Sequence, residues 1–251
     1  MKRIVAGLLA FLLLLIFFSV LDTDGTYDGI PSFGKVNLQE RVSARYISKS
    51  VNSQEEQIIR YGETKDPESG EANIVTSVVV NYRSFDTLGE VTVLFLSAAG
   101  VGFFLGSGLK RQSSSVPINP IVKLASQLIV PILAVFGAYI FIHGHLTPGG
   151  GFPGGTIIAT IALLTLLVDD KKLLSPFLKV FEGLAGLMYV GIGVIGLLVA
   201  GSFLQNFLPT GTVGNLLSSG VIPIVYSIIG IKVGAELSGV IGDFFSEGGA
   251  K

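Results

Sequence analysis

The sequence HGHLTPGGGFPGG, residues 143–155, separates two apolar runs and contains both histidines of the chain, two prolines and six glycines. The apolar run that follows it, Thr156–Val168, has thirteen residues. A helix of that length is about 20 Å long, whereas the hydrocarbon core of a bilayer is about 30 Å thick. We therefore expect part of this glycine-rich loop to enter the membrane, where protein or water must satisfy its backbone amides.

The composition is typical of a polytopic membrane protein. Hydrophobic residues make up 49% of the chain and charged residues 14%, well below the roughly 25% charged residues of a soluble domain. The absence of cysteine excludes disulfides, thiolate zinc sites and cysteine-ligated iron–sulfur clusters. A net charge of −1 without a basic patch gives no indication of a nucleic-acid partner. We expect no catalytic residue, no metal and no cofactor in this chain.

The apolar runs predict an all-α polytopic fold with about six transmembrane helices. Residues 1–21 are the first predicted span. A cleaved signal peptide fits them less well, because the apolar region is long and no small-x-small cleavage pattern follows it. Residues 22–84 are predicted to be extramembrane or interfacial. One more transmembrane helix is expected within residues 85–112, and four within residues 113–251.

One face of the predicted helix 177–203 carries small residues at helical spacing. Such a face allows the backbone of a neighbouring helix to approach closely, so we expect tight helix packing there. The residues are Gly183, Gly186, Gly193, Gly196 and Ala200.

The basic residues of the short loops indicate an orientation. In a topology with six spans they all fall on one side, and the loops 143–155 and 201–220 contain none. The positive-inside rule then predicts a multi-pass protein of the cell membrane with both termini in the cytoplasm and the glycine-rich loop at the outer face. The residues counted are Lys2, Arg3, Lys110, Arg111, Lys171, Lys172, Lys179 and Lys251.

Ionisable residues within the predicted spans are candidates for an ion path, because charges are costly in hydrocarbon. Lys232 and Glu236 share one helical face, and Glu182 is predicted at a similar depth on another helix. They could form a proton or cation relay, or a static ion pair between helices, and the sequence leaves both open. Asp86 and Glu90 lie four residues apart at the start of their span. Asp86 fits a helix cap, whereas Glu90 lies deeper.

His143 and His145 are the titratable residues of the glycine-rich loop. They could titrate near neutral pH and pass protons between solvent and a path, or they could be hydrogen-bonded members of a turn. The glycines do not predict a nucleotide site, because the loop lacks the Gly-x-x-x-x-Gly-Lys-Ser/Thr pattern and follows an apolar span rather than a strand.

Three segments resemble the Mrp-type multisubunit sodium/proton antiporters. HLTPGGGFPGG (145–155), preceded by Gly144, resembles the signature loop of their B-type subunit, and PIVYSIIGIKVGAELS (223–238) is similar to the final helix of the same subunit type. YRSFDTLGE (82–90) resembles a motif near the end of their large A-type subunit. In archaeal membrane-bound hydrogenases and sulfur-reducing relatives this last segment is a separate small subunit. Here it is fused to the B-like region, and Pro153 stands where the family usually has Gln.

The resemblance implies a membrane subunit of a cation/proton-translocating complex, with residues 85–112 similar to the end of the A-type subunit and residues 113–251 similar to the B-type subunit. The complex would be a stand-alone antiporter or the Mrp-like module of a hydrogenase or sulfur reductase. The implied partners are A- and D-type subunits, small C-, E-, F- and G-type subunits and the lipid bilayer. Na⁺ and H⁺ are the implied transported ions. The alternative is a structural scaffold subunit of the same complex. By motif, the implied site residues are Asp86, Glu90, His145, Pro148, Gly149, Gly150, Gly151, Gly154, Gly155, Lys232 and Glu236.

Overall fold

The computed structural model describes residues 2–21, 42–52, 58–105, 119–168 and 177–248. The chain divides into two compact units, Met1–Arg45 and Tyr46–Lys251. The first unit contains helix α1, Lys2–Leu21, a 20-residue helix whose apolar part includes Val5–Phe18. A short helix, α2 (Val42–Ile47), lies across the division between the units.

The second unit is built around five long helices. The short helix α3, Ile74–Thr76, runs into a π-helix, Ser77–Tyr82. The long helices are α4 (Ser84–Leu105), α5 (Pro120–Ile142), α6 (Gly151–Val168), α7 (Phe177–Ala200) and α8 (Ile222–Gly248). All five are long and apolar enough to cross a membrane. Together with the apolar helix α1, they confirm the predicted all-helical, multi-pass fold with about six spans.

Helix α8 is the centre of the second unit. Helices α4, α5, α6 and α7 all pack against it, and 61% of the residues in its span are buried, compared with 6% for α4 and 11% for α5. Its side chains Val225, Ile229 and Val233 form the main buried cluster together with Tyr189 of α7. A helix that is apolar on all sides is expected to be surrounded by protein or lipid, and here other helices surround most of it.

Helices α6 and α8 approach each other through glycines. A Cβ atom built on Gly151 would lie 2.5 Å from the Cβ of Ile229, and one built on Gly155 would lie 2.8 Å from the Cβ of Val233. On the α8 side, a Cβ on Gly234 would lie 3.1 Å from the side chain of Ile158. The two backbones are therefore in direct van der Waals contact, as small residues permit between membrane helices.

The small face of α7 packs closely, against the chain that follows it as well as against α8. A Cβ on Gly193 would lie 2.5 Å from the ring of Phe203, and one on Gly196 would lie 2.7 Å from the carbonyl oxygen of Gln205. The chain that follows α7 thus folds back over the part of this face that contains Gly193 and Gly196. Gly183 has no described atom within 4 Å of such a Cβ.

The glycine-rich loop is shorter than the sequence suggested. Irregular backbone ends at Gly150, and GFPGG, residues 151–155, forms the first turn of α6. These residues extend α6 to 18 residues, or about 27 Å. Pro153 is tolerated because the first helical turn needs no backbone donor. The missing length of the span is therefore supplied by helix, which corrects the expectation that irregular backbone supplies it.

Residues 58–73 form a layer with the connection between α7 and α8. Lys65 and Thr212 form an isolated antiparallel bridge. Beside it, the N–H of Gly62 donates to Val213 O at 2.8 Å, and that of Val213 donates to Thr64 O at 3.1 Å. This layer, drawn from two distant parts of the chain, lies beside residues 143–150.

Candidate functional site

Lys232 and Glu236 form an ion pair on α8. The Nζ atom of Lys232 lies 3.5 Å from Oε2 of Glu236, and the two side chains are only 9% and 1% exposed. Charged groups are costly to remove from water, so a buried pair must be matched by its surroundings. The surroundings of each member therefore indicate what the pair can do.

The Lys232 ammonium is held between α4 and α7. Its Nζ lies 4.9 Å from the centroid of the Phe95 ring on α4, a cation–π contact. On the α7 side, a Cβ built on Gly186 would lie 3.7–3.8 Å from the end of the lysine side chain. Gly186 thus leaves room for the ammonium, and a larger residue there would press on it.

The Glu236 carboxylate has no hydrogen-bond partner in the part of the chain that the structure describes. The distance of 3.5 Å to Lys232 exceeds the usual length of roughly 2.7–3.2 Å for such a bond. Glu182 of α7 is close enough to act electrostatically on Glu236. The structure therefore pairs Lys232 with Glu236 and places Glu182 within electrostatic range of Glu236. A buried polar group without a partner calls for a water, a proton or an ion.

Asp86 and Glu90 lie on the exposed side of α4. Asp86 forms an ion pair with Arg83, and both side chains are more than half exposed, at 51% and 60%. Glu90 is exposed, and no ion pair joins it to any residue in the described part of the chain. It acts electrostatically on Tyr189 of α7. Neither carboxylate belongs to the Lys232–Glu236–Glu182 cluster.

The two histidines occupy different environments. The ring of His143 stacks on Tyr139, with centroids 4.4 Å apart. His145 is completely buried, and neither ring nitrogen has a hydrogen-bond partner among the described residues. Burial lowers the pKa of His145, which favours the neutral imidazole. Its carbonyl oxygen accepts a hydrogen bond from the N–H of Asn73 at 3.1 Å.

The segment ahead of α4 clamps the glycine-rich loop. Asn73 Nδ2 donates to the carbonyl oxygens of Gly144 and Thr147, both at 3.0 Å. The Thr76 hydroxyl donates to Gly144 O at 2.7 Å. Since the single Thr76 proton is used there, the hydroxyl of Tyr226 on α8 donates to Thr76 Oγ1 at 2.9 Å. We call the hydrogen bonds of Asn73 and Thr76 to the loop the clamp.

Steric contacts explain the glycines of the loop. Gly150 has φ +138, which side chains rarely adopt. A Cβ there would lie 3.0 Å from the Tyr226 ring. Pro148 is exposed. In contrast, a Cβ built on each of five glycines would lie 2.5–3.0 Å from a neighbouring atom. They are Gly149, Gly150, Gly151, Gly154 and Gly155.

Sequence reasoning missed one buried carboxylate, Glu71. It is fully buried, and its Oε2 accepts hydrogen bonds from Ser69 and, at 3.0 Å, from Ser77. Lys49 Nζ donates to the carbonyl oxygens of Ser69 and Glu71. Burial lowers the pKa of Lys49, and the charge of Glu71 opposes this shift. No sequence signal separates Glu71 from other acids of this polar segment, because its burial arises only from tertiary contacts.

Comparison with known proteins identifies relatives of both parts of the chain. Residues 121–239 match the family described as a domain related to the MnhB subunit of the Na⁺/H⁺ antiporter. Residues 42–115 match the family of the MBH E-type subunit, MbhE. The B-type Na⁺/H⁺ antiporter subunit of Bacillus subtilis is 35% identical over 85 residues, which cover 33% of this chain and 59% of that protein. Less than two thirds of that relative is therefore represented here.

Two solved complexes contain similar chains. A chain of the membrane-bound sulfane sulfur reductase, an archaeal respiratory membrane complex, is 37% identical with a TM-score of 0.74, and the match covers 98% of this chain and 100% of that one. A chain of the Mrp complex from Dietzia sp. DQ12-45-1b shares the fold, with 17% identity, a TM-score of 0.64 and coverage of 98% of this chain and 26% of that one. The predicted resemblance is confirmed: this chain belongs to the family of Mrp/Mnh antiporter-type membrane subunits, with an MbhE-like segment ahead of an MnhB-related domain.

Proposed function

We propose that this subunit contributes a step of cation or proton movement within a membrane complex, at the cluster of Lys232, Glu236 and Glu182. The observation that carries the proposal is the buried Glu236 carboxylate, which has no hydrogen-bond partner among the described residues while a lysine lies 3.5 Å away. An ion pair built only for stability is expected to satisfy its lone pairs. This pair leaves capacity for a proton, a water or a cation.

Charge exchange at Glu236 gives the step a physical basis. A proton or sodium ion bound at the carboxylate would neutralise it and weaken its attraction for the Lys232 ammonium. The ammonium would still be held by the Phe95 ring. Release of the bound ion would restore the pair. Glu182 of α7, which acts electrostatically on Glu236, is the group that we propose to receive or return the charge.

We further propose the setting of this step. The transported ions are Na⁺ and H⁺, as the name of the Bacillus subtilis relative suggests. The partners are other Mrp-like membrane subunits together with subunits of a reductase of the sulfane sulfur type, because a chain 37% identical is part of such a complex. The subunit has no catalytic activity of its own and binds no cofactor. It lies in the cytoplasmic membrane with both termini in the cytoplasm.

The alternative is a scaffold role, in which the charges only join helices. The contact of Lys232 with Phe95 of α4 and its fit against Gly186 of α7 favour it, since both tie α8 to its neighbours. The two functions differ in what loss of the Glu236 charge does. If the charge serves ion movement, its loss abolishes transport while the complex still assembles. If the charge serves only to join helices, its loss abolishes assembly.

Glu236→Gln tests the proposal in the assembled complex, reconstituted into vesicles. It keeps the size of the side chain and removes the charge. We expect an assembled complex whose sodium-dependent proton movement falls at least about tenfold, as for loss of a group acting directly in proton transfer. Glu63→Gln, at an exposed carboxylate paired with Arg60, is the matched control and should leave transport unchanged. Normal transport by an assembled Glu236→Gln complex would refute the proposal, and failure to assemble would favour the scaffold.

A further inference from the structure

The exposed side of α4 carries a carboxylate, Glu90, that forms no ion pair with any described residue. Only 6% of the residues in the α4 span are buried, so most of its surface is open to whatever surrounds the chain. Glu90 lies on this surface, six residues after the start of the helix at Ser84, or about 9 Å along its axis. At that depth an acyl chain is a poor neighbour for a carboxyl group.

The charges in the described part of the chain do not balance Glu90. Arg83 is engaged with Asp86, four residues before Glu90. Lys232 lies over Phe95 and pairs with Glu236 inside the helix cluster. Among the described residues no cation lies within ion-pair distance of Glu90. The charge that balances it must therefore come from outside the described part of this chain.

The rest of the same flank has the form of a helix-docking surface. Ser97 lies seven residues after Glu90, two helical turns along one side of α4, and is exposed. Further along, a groove of about 340 Å³ lies between α4 and the end of α8, and its lining includes Ser97, Phe104 and Phe244. An acidic residue, a hydroxyl and an apolar groove thus follow one another along a single line.

We infer that this flank of α4 is the docking surface for a transmembrane helix of another subunit, and that this helix presents a Lys or Arg side chain to Glu90. The charge complementarity selects the partner: a basic side chain converts a costly exposed carboxylate into a buried pair. The apolar part of the same helix would fill the groove beside Phe104 and Phe244. The inference concerns assembly and holds whether or not ions move at Glu236.

Site-directed photo-crosslinking of the intact complex tests the inference. The chain contains no cysteine, so Glu90→Cys introduces a single thiol into this protein, which is labelled with a benzophenone maleimide. We expect a crosslink to a membrane helix of another subunit, with Lys or Arg within one turn of the crosslinked residue. Ser97→Cys, a nearly isosteric change, should reach the same helix and serves if Glu90→Cys does not assemble. Thr92→Cys is the control, because Thr92 is exposed on the opposite side of α4; it should not reach that helix.

Charge reversal provides a second test. We expect Glu90→Lys to lower the yield of intact complex about tenfold, because two like charges then face each other. Thr92→Lys also places a charge in the span, but opposite no basic side chain, and should lower the yield less. Changing the identified basic residue to Glu should restore assembly of Glu90→Lys. Crosslinks to lipid alone, to a second copy of this chain, or to a helix without a basic residue near the contact would overturn the inference. Equal loss of assembly in Thr92→Lys would also overturn it.

Discussion

The clamp on the glycine-rich loop and the charge cluster on α8 use polar groups in opposite ways. In the clamp, the side chains of Asn73 and Thr76 donate hydrogen bonds of 2.7–3.0 Å to carbonyl oxygens of the loop. In the cluster, both oxygens of Glu236 lack hydrogen bonds among the described residues. Satisfied networks make a structure rigid, whereas unsatisfied buried groups keep the capacity to bind. The difference supports the proposal that the cluster changes its charge, while the loop keeps its shape.

Removing the lysine tests the cluster most severely. Lys232→Met leaves the Glu236 charge buried without a counterion, which costs about 3–5 kcal/mol of stability in buried pairs. We expect the midpoint of thermal denaturation of the purified complex to fall on the order of 10 °C. The double variant Lys232→Met with Glu236→Gln should recover most of this loss, because no uncompensated charge remains. A double variant as unstable as the single one would show that packing at Lys232, and not charge, dominates.

Loss of the clamp hydrogen bonds should increase the mobility of residues 143–150 more than it lowers ion transport. Asn73→Ala removes two side-chain donors to Gly144 and Thr147, at a cost of about 2 kcal/mol. We expect faster hydrogen exchange of the amides in residues 143–150, with a smaller loss of transport than in Glu236→Gln. Asn215→Ala, at an exposed asparagine near the loop, is the control. Transport loss as large as that of Glu236→Gln, without faster exchange, would remove the distinction between the two regions.

The smallest expected effect is a pH dependence at His145. Burial lowers the pKa of this group in the folded chain, so the unfolded chain binds the proton more readily. The neutral form therefore contributes its full stability above about pH 6.5, the unfolded value. That contribution is lost as the pH falls below this value toward the folded pKa, by at most about 1.4 kcal/mol per pH unit. Thermal midpoints measured between about pH 7.5 and 5.5, on either side of the unfolded pKa, should fall less in His145→Gln than in the unmodified chain or in His143→Gln. Parallel profiles for all three would contradict this assignment.

The lengths of the apolar runs and the helical spacing of the charged residues were the most useful sequence signals. Helix α5 occupies Pro120–Ile142, because its apolar run is bounded by the N-cap Asn119 and by the loop. The four-residue spacing of Lys232 and Glu236 places them on one face of any helix. Depth counted along two helices predicted Glu182 at a similar level, and Glu182 acts electrostatically on Glu236 in the structure.

Contacts between segments far apart in the chain could not be predicted from sequence patterns. Glu71 stands in a polar segment where acids are usually solvated, and only the packing of Lys49, Ser69 and Ser77 around it shows its burial. Asn73 and Thr76 were not selected because their partners are backbone carbonyls some 70 residues away. The helical start of α6 at Gly151 was missed since glycine is a poor helix former, and its close fit to Ile229 overrides that preference.

The glycine contact between α6 and α8 makes these two helices a single mechanical body. With backbones touching at Gly151 and Gly155, α8 has little freedom to tilt or slide without carrying α6 along, since closely packed interiors yield little. The first turn of α6 continues directly from the loop that bears His145. Any displacement of Glu236 would therefore be transmitted along α6 to that loop, at the N-terminal end of α6.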